Sequence, residues 1–391
     1  MPKGSTCRLA GALLLALAAV PCAVAADAGP LLARIKAVGG EGAGNAEAAR
    51  AWRELVALGP DALPDILTGF DGADERAANW LRAAVDAVAE REVNAGRKLP
   101  ADKLEAFVKD TKHSPAARRL AYEWLARIDR TTPERLLPGM LNDPSVELRR
   151  DAVAVVLKEA REKLDGKDRD GARAAFKKAL GGARDQDQVE AIAKALKDLG
   201  EPVDLAAHFG FVRTWQVIGP FDSTGGKGYA AAFRPEKKID LASAVTGKDG
   251  KEVRWAPYTS EDPYGNVDLN KVIGKHMGAA GYAYAVLESP QEREVEVRAA
   301  TKNAVKVWVN GQRVYAKEEY HHGKYLDQHV ARVTLRKGRN TLLLKVCQNE
   351  QKDTWAQEWD FQVRVCDAVG GAVPLTVVLE KVARRPAEGG K

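Results

Sequence analysis

The densest group of side chains able to hold a metal ion lies in one stretch, Glu318-Glu319-Tyr320-His321-His322, with His329 shortly after it. Imidazole nitrogens and carboxylates are the ligands of zinc-class ions. Adjacent side chains on an extended chain point to opposite sides, however, so His321 and His322 are poorly arranged to share one ion. The stretch therefore reads as an exposed polar loop after a hairpin, with no resident metal. Asp262, Asn266 and Asp268, in EDPYGNVDL, offer the oxygens that calcium takes. Solvated acids around a Pro-Gly turn account for the same letters, so calcium stands as a candidate and no other cofactor is implied. For glycoside hydrolysis two carboxylates must face each other across a cleft, and no pair stands in such a context. A G-x-S-x-G elbow, a P-loop and an H-E-x-x-H motif are all absent, so the expectation is a protein without catalytic activity.

Aromatic residues suggest a different chemistry. Trp255, Tyr258 and Tyr264 cluster in one loop region, Tyr320 and Tyr325 in another, and Trp355 lies in the polar stretch QKDTWAQEWD. Exposed rings of this kind stack on sugars, and Lys306, Asn310 and Asp262 are the polar side chains placed to assist them. Each ring taken singly is also an ordinary packing residue. Trp308, on the polar face of its strand, could be covered by a loop or by the helical part of the chain.

These residues must be positioned by strands. AVKVWVNGQRVY, Ala304–Tyr315, alternates Val305, Val307 and Val309 with polar or amphipathic neighbours, and Asn310-Gly311 supplies a tight hairpin turn. Further strands are expected at Trp215–Ile218, Val253–Trp255, Tyr282–Leu287, Val295–Ala300, Val330–Leu335, Thr341–Cys347 and Trp359–Val365. Five of the eight Trp and eight of the nine Tyr follow Gly200. Before it, residues 46–205 are helical in pattern, short segments broken by Pro and Gly. The fold class expected is therefore multidomain, α then all-β: a leader at 1–25, a helical stack at 27–205, an antiparallel β-sandwich at 206–381, which the resemblance given below makes a jelly roll, and a disordered tail at 382–391.

Lys3 and Arg8 precede an apolar run from Leu9 to Val20 and the small-residue pattern Ala23-Val24-Ala25, the marks of a cleaved secretory signal. A secreted or periplasmic address follows, with no membrane span, since twelve apolar residues cannot cross a bilayer. Residues 26–205 carry 30 basic and 32 acidic groups, and 206–391 carry 28 and 22. The net charges, 30 − 32 = −2 and 28 − 22 = +6, come without a basic block, so nucleic acid is not an expected partner. Cys347 and Cys366 remain after the leader. If 341–348 and 358–365 form a hairpin, the two cysteines stand ~20 Å apart along it and are expected to be free thiols.

In Pro133–Leu157 an apolar helix is followed by Asn142-Asp143-Pro144 and a second helix entered through Val146 and Arg149, with Asp143 as N-cap. This resembles a HEAT repeat. VWVNGQRVY, VTLRKGRNTLLLKV and WDFQVRVCD together are similar to galactose-binding-like jelly rolls, the class of many carbohydrate-binding modules. WQVIGPFD at Trp215–Asp222, after a helical stack, resembles a group of secreted planctomycete-type bacterial proteins. These resemblances imply a binding module for a glycan or a cell-envelope partner. Two alternatives stand beside it: a protein–protein scaffold, and an accessory protein of a carbohydrate-active enzyme system.

Overall fold

Ala-, Leu- and Arg-rich segments interrupted by Gly and Pro build short amphipathic helices at the start of the chain. The computed structural model describes residues 28–380; the expected leader and tail lie outside the described residues. The chain forms two compact units that divide at Arg135/Leu136. In the first, α1 (Gly29–Lys36) packs on α2 (Asn45–Ala57), α2 and α3 (Leu63–Thr68) pack on α4 (Glu75–Asn94), and α5 (Ala101–Lys109) packs on α6 (Pro115–Ile128). Each buries one stripe at helical spacing, such as Leu81, Val85 and Val88 of α4. Asp74 caps α4 by accepting from the Ala77 N–H at 2.9 Å.

A short helix, α7 (Thr132–Leu136), spans the division, and α8 (Val146–Asp165) begins the regular structure of the second unit. Its N-cap is Ser145, not Asp143, and the Asp143 carboxylate instead accepts from the Ser145 N–H at 2.8 Å. Pro144 therefore lies before the helix, and Val146, through which the helix is entered, is 52% exposed. The stripe is Leu148, Ala152, Val153 and Val156. With α9 (Arg169–Gly182), α10 (Gln186–Asp198) and α11 (Leu205–Phe209), α8 forms a core that takes in Phe209 and Phe211 and has Tyr264 and Leu326 packed against it. Helix gives way to strand where the composition changes, but these helices share a unit with the strands. Compactness breaks some 70 residues earlier than the expected boundary at 205 because Phe209, Phe211 and Tyr264 knit the two regions together.

The strands are antiparallel. One sheet runs β4 (Ala256–Thr259), β1 (Thr214–Asp222), β6 (Ala279–Ser289), β11 (Gly338–Gln348), β8 (Ala304–Val309), β9 (Gln312–Lys317), with β13 (Thr376–Val378) also paired to β6. A second sheet runs β10 (His329–Leu335), β7 (Arg293–Ala300), β12 (Asp360–Cys366), β5 (Val267–Asp268), and β2 (Val245–Thr246) and β3 (Glu252–Val253) form a small ribbon. Val305, Val307, Leu342, Leu344, Val297, Phe361 and Val363 make the apolar layer between the two larger sheets. Two short helices, α12 (Lys227–Ala230) and α13 (Arg234–Lys237), belong to a segment whose Tyr229, Phe233, Ile239 and Leu241 cover the other face of the large sheet. A further turn of helix, α14 (Leu269–Val272), follows β5. The expected β11–β12 hairpin does not form: β11 pairs with β6 and β8, and β12 with β7 and β5. Cys347 and Cys366 are both free and buried, separated by sheet membership rather than by hairpin register.

Candidate functional site

The residues expected to recognise a ligand fall into three groups. Trp255 and Lys306 are buried, 6% and 7% exposed. Trp255 meets Tyr284 edge-on under the covering segment. Lys306 donates to the Tyr229 carbonyl at 2.6 Å with its ammonium 4.3 Å from that ring, and burial pushes its pKa down. Neither can meet a ligand, because the 223–255 segment lies on the face that periodicity assigned to solvent. The same cover buries Trp308. Tyr258, Tyr264 and Tyr320 are half-buried packing residues. Tyr258 rests on the sandwich core. Tyr264 stacks near Phe209 and Phe211 and donates its hydroxyl to Glu190 on α10; burial and that bond push its pKa to about 12. Tyr320 joins the covering cluster. Tyr325 and Trp355 alone remain open, 64% and 57% exposed.

The calcium candidates do not converge. Asp262 Oδ1 accepts from the Tyr264 and Asn266 N–H groups at 2.8 and 3.2 Å, and Asp268 caps α14 through Asn270 N at 3.0 Å. Asn266 Oδ1 accepts from Lys324 Nζ at 2.5 Å, and the same ammonium holds Asp360 Oδ2 at 2.5 Å. A lysine thus takes the place of a cation between two loops and a strand. Among the described residues no three His, Cys, Asp or Glu side chains gather in ligand geometry.

The adjacent histidines do face opposite ways. His321 adopts a left-handed φ of 61°, bonds Asn349 Oδ1 at 2.7 Å and meets Trp355 edge-on at 5.5 Å. His322 turns instead towards His329, their rings 5.9 Å apart and nearly perpendicular. Loops 301–303, 318–328 and 349–359 meet at this end of the sandwich, tied by His321 N to Lys302 O at 2.7 Å and Asn303 Nδ2 to Glu358 O at 3.1 Å.

An open concavity lies elsewhere. β9 and β10 are the free edges of their sheets, and between them runs a groove of about 690 Å³. Val295, Val309, Val314 and Val333 contribute apolar lining, and Glu294, Gln312, Thr334 and Arg336 line it with polar side chains. Among the described residues none of these four side chains makes a hydrogen bond or ion pair. Glu296 is different: Arg298 Nη2 holds one carboxylate oxygen at 2.6 Å and Arg332 Nε the other at 3.1 Å. Of the polar residues expected to meet a ligand, only Asn310 lines the groove, and its amide is spent on structure: it bonds Asn340 Oδ1 at 2.9 Å and accepts from Thr341 N at 2.9 Å. Sequence reading missed the groove because it is made of strand residues of ordinary alternation whose partners lie in different sheets. The one visible signal was an Arg- and Glu-rich outward face on two strands flanking an unpaired edge.

No family model matches the chain, and no curated protein matches it. Among solved structures, a β-glucosidase from Kluyveromyces marxianus in complex with glucose is 12% identical with a TM-score of 0.24, over 33% of this chain and 16% of that one. A selenomethionine-labelled form of that β-glucosidase is 11% identical with a TM-score of 0.24, over 44% and 21%. A GH31 α-xylosidase from Xanthomonas citri is 12% identical with a TM-score of 0.19, over 30% and 15%. The chain spans about a fifth or less of the length of each.

Proposed function

We propose that this is a secreted, non-catalytic binding protein whose sandwich, of jelly-roll and galactose-binding-like type, takes a glycan of the cell envelope in the groove between β9 and β10, with HEAT-like helices presenting it. The observation that carries this reading is the set of unpaired acceptors and donors, Glu294, Gln312, Thr334 and Arg336, around an apolar lining. A hydroxyl-rich ligand needs both kinds of group at once, with apolar area for its C–H faces. A binding role is favoured over hydrolysis because glycosidases need two working carboxylates. Here both oxygens of Glu296 are held by guanidiniums, which leaves Glu294 as the one free acid of the groove.

A glycan array probed with the full chain tests the reading. The best oligosaccharide is then titrated against Glu294→Ala and Arg336→Ala, each expected to lose at least tenfold in affinity, with Trp355→Ala at the far loop end unchanged. Loss in Trp355→Ala alone moves the site to the loops. A silent array overturns the glycan reading and favours a protein-docking scaffold.

A further inference from the structure

The lysine bridge between Asn266 and Asp360 gathers the three groups that an amide-forming reaction needs: an amine, a carboxamide and an acid to move protons. Lys324 Nζ lies 2.5 Å from Asn266 Oδ1 and 2.5 Å from Asp360 Oδ2. A C=O bond is ~1.2 Å long, so the nitrogen stands roughly 3–3.5 Å from the amide carbon Cγ, the separation of groups held ready to react. Each group is held by a different part of the sandwich. The Asn266 N–H donates to Asp262 Oδ1 at 3.2 Å and its carbonyl accepts from Ser260 Oγ at 2.5 Å, while Asp360 opens β12 in register with Asp268. Only 16% of the Lys324 side chain and 15% of the Asp360 side chain meet solvent, and Val267 and Phe361, the next residues after Asn266 and Asp360, are fully buried. Asp360 Oδ1 is shut off from solvent without a hydrogen-bond partner. An ion bridge alone leaves that oxygen orphaned, and a proton placed on the carboxyl group gives it a use. Among the described residues Asn266 Nδ2 makes no hydrogen bond, so nothing restrains it from leaving.

We propose that Lys324 and Asn266 join through an isopeptide bond, with Asp360 as the general base and acid. Asp360 takes a proton from the ammonium, and the freed Nζ lone pair adds to Cγ. Asp360 then gives its proton to Nδ2 and takes a second one from Nζ. The Cγ–Nδ2 bond breaks, the Nζ–Cγ amide remains, and ammonia leaves, carrying off the proton on Asp360 as ammonium. Nothing is oxidised or reduced. Lys345 is more deeply buried, but its ammonium meets one carboxylate and two backbone carbonyls, so it has a base and no carboxamide to attack. Asn266 and Lys324 are 58 residues apart, so the bond closes a loop that takes in β6 to β9. Before the reaction the ammonium holds the two loops together, and afterwards the amide does.

The test is the intact mass of the denatured full chain with its termini sequenced. The parent is expected to be lighter than its sequence by one ammonia, and its digest to contain a branched peptide joining Lys324 to Asn266. Lys324→Arg and Asp360→Asn should both show the full sequence mass and migrate more slowly on a denaturing gel, because their chains are open. The branched peptide of the parent requires no variant to fold, so it decides the case by itself. Closure of Asn266 on its own backbone also sheds ammonia, and a loss that persists in Lys324→Arg overturns the link. So does a parent at full sequence mass with both peptides recovered unlinked. A branched peptide at parental yield in Asp360→Asn would remove Asp360 from the reaction.

Discussion

A lysine that water cannot reach must find every acceptor within the protein, and Lys345 does. Its ammonium bonds Ala231 O at 2.6 Å, Glu236 Oε1 at 2.9 Å and Tyr229 O at 3.3 Å, and Tyr282 donates to the same Glu236 oxygen at 2.5 Å. Burial, with that bond, drives the Tyr282 hydroxyl pKa far up, so it stays a donor. Glu236→Gln removes the carboxylate charge paired with a buried ammonium and should cost about 3–5 kcal/mol in urea unfolding. Replacing both partners, Lys345→Met with Glu236→Leu, should recover most of that loss, and a double variant as unstable as the single would refute the account. The thiols make a second prediction. Burial pushes Cys347 to about 12 and Cys366 to about 11, so both stay protonated and shielded at pH 8. A chain starting at residue 26 should leave Ellman's reagent colourless when native and release two equivalents in guanidinium; rapid native reaction would contradict it. None of the Lys345 network was legible in LLLKVC, since periodicity reports which side of a strand a residue takes and not what lies on that side.

At the scale of elements the hairpin was the most legible part. β8 and β9 turn at Asn310 and Gly311, with φ of 53° and 80°, as the alternation and the Asn-Gly pair require. Asn310 does more than turn: its side chain receives the Thr341 N–H, binding the hairpin to β11. Asn310→Ala should therefore cost about 1–3 kcal/mol, and Asn310→Asp, which keeps the acceptor, less. Equal losses measured by thermal melting would assign the residue to backbone conformation alone. Pairing across sheets was not legible. Leu342, Leu344 and Val346 alternate as clearly as Phe361, Val363 and Val365, and nothing local says that the eleven-residue connection 349–359 crosses from one sheet to the other. Trp255 drops out of the exposed aromatics for the same reason: it lies in a loop by sequence and beneath the covering segment in space.

For the whole molecule, the composition change at Gly200 located the switch from helix to strand but not the division into units, which depends on contacts between distant residues. Leu136–Lys391 holds α8–α11 and the sandwich in one unit, joined through Phe209, Phe211 and Tyr264 and through Arg364 Nη1 to the Phe209 carbonyl at 3.2 Å. A fragment of residues 136–391 should melt in one cooperative transition. A fragment of 206–391 exposes that aromatic cluster and should bind a hydrophobic dye and melt lower. If the shorter piece is as stable as the longer, the helices are dispensable to the sandwich.

Lys324, bridging Asn266 and Asp360, has a consequence for the surroundings in which the protein can work. An inorganic ion holding these loops would come and go by mass action, and the loops would loosen wherever it was scarce. A cation carried on the backbone is present at fixed stoichiometry and cannot be diluted or chelated away. The 262–268 and 318–328 loops should keep their amide protection in excess EGTA and in millimolar calcium alike. In water of changing hardness, that is a supply the gene itself guarantees.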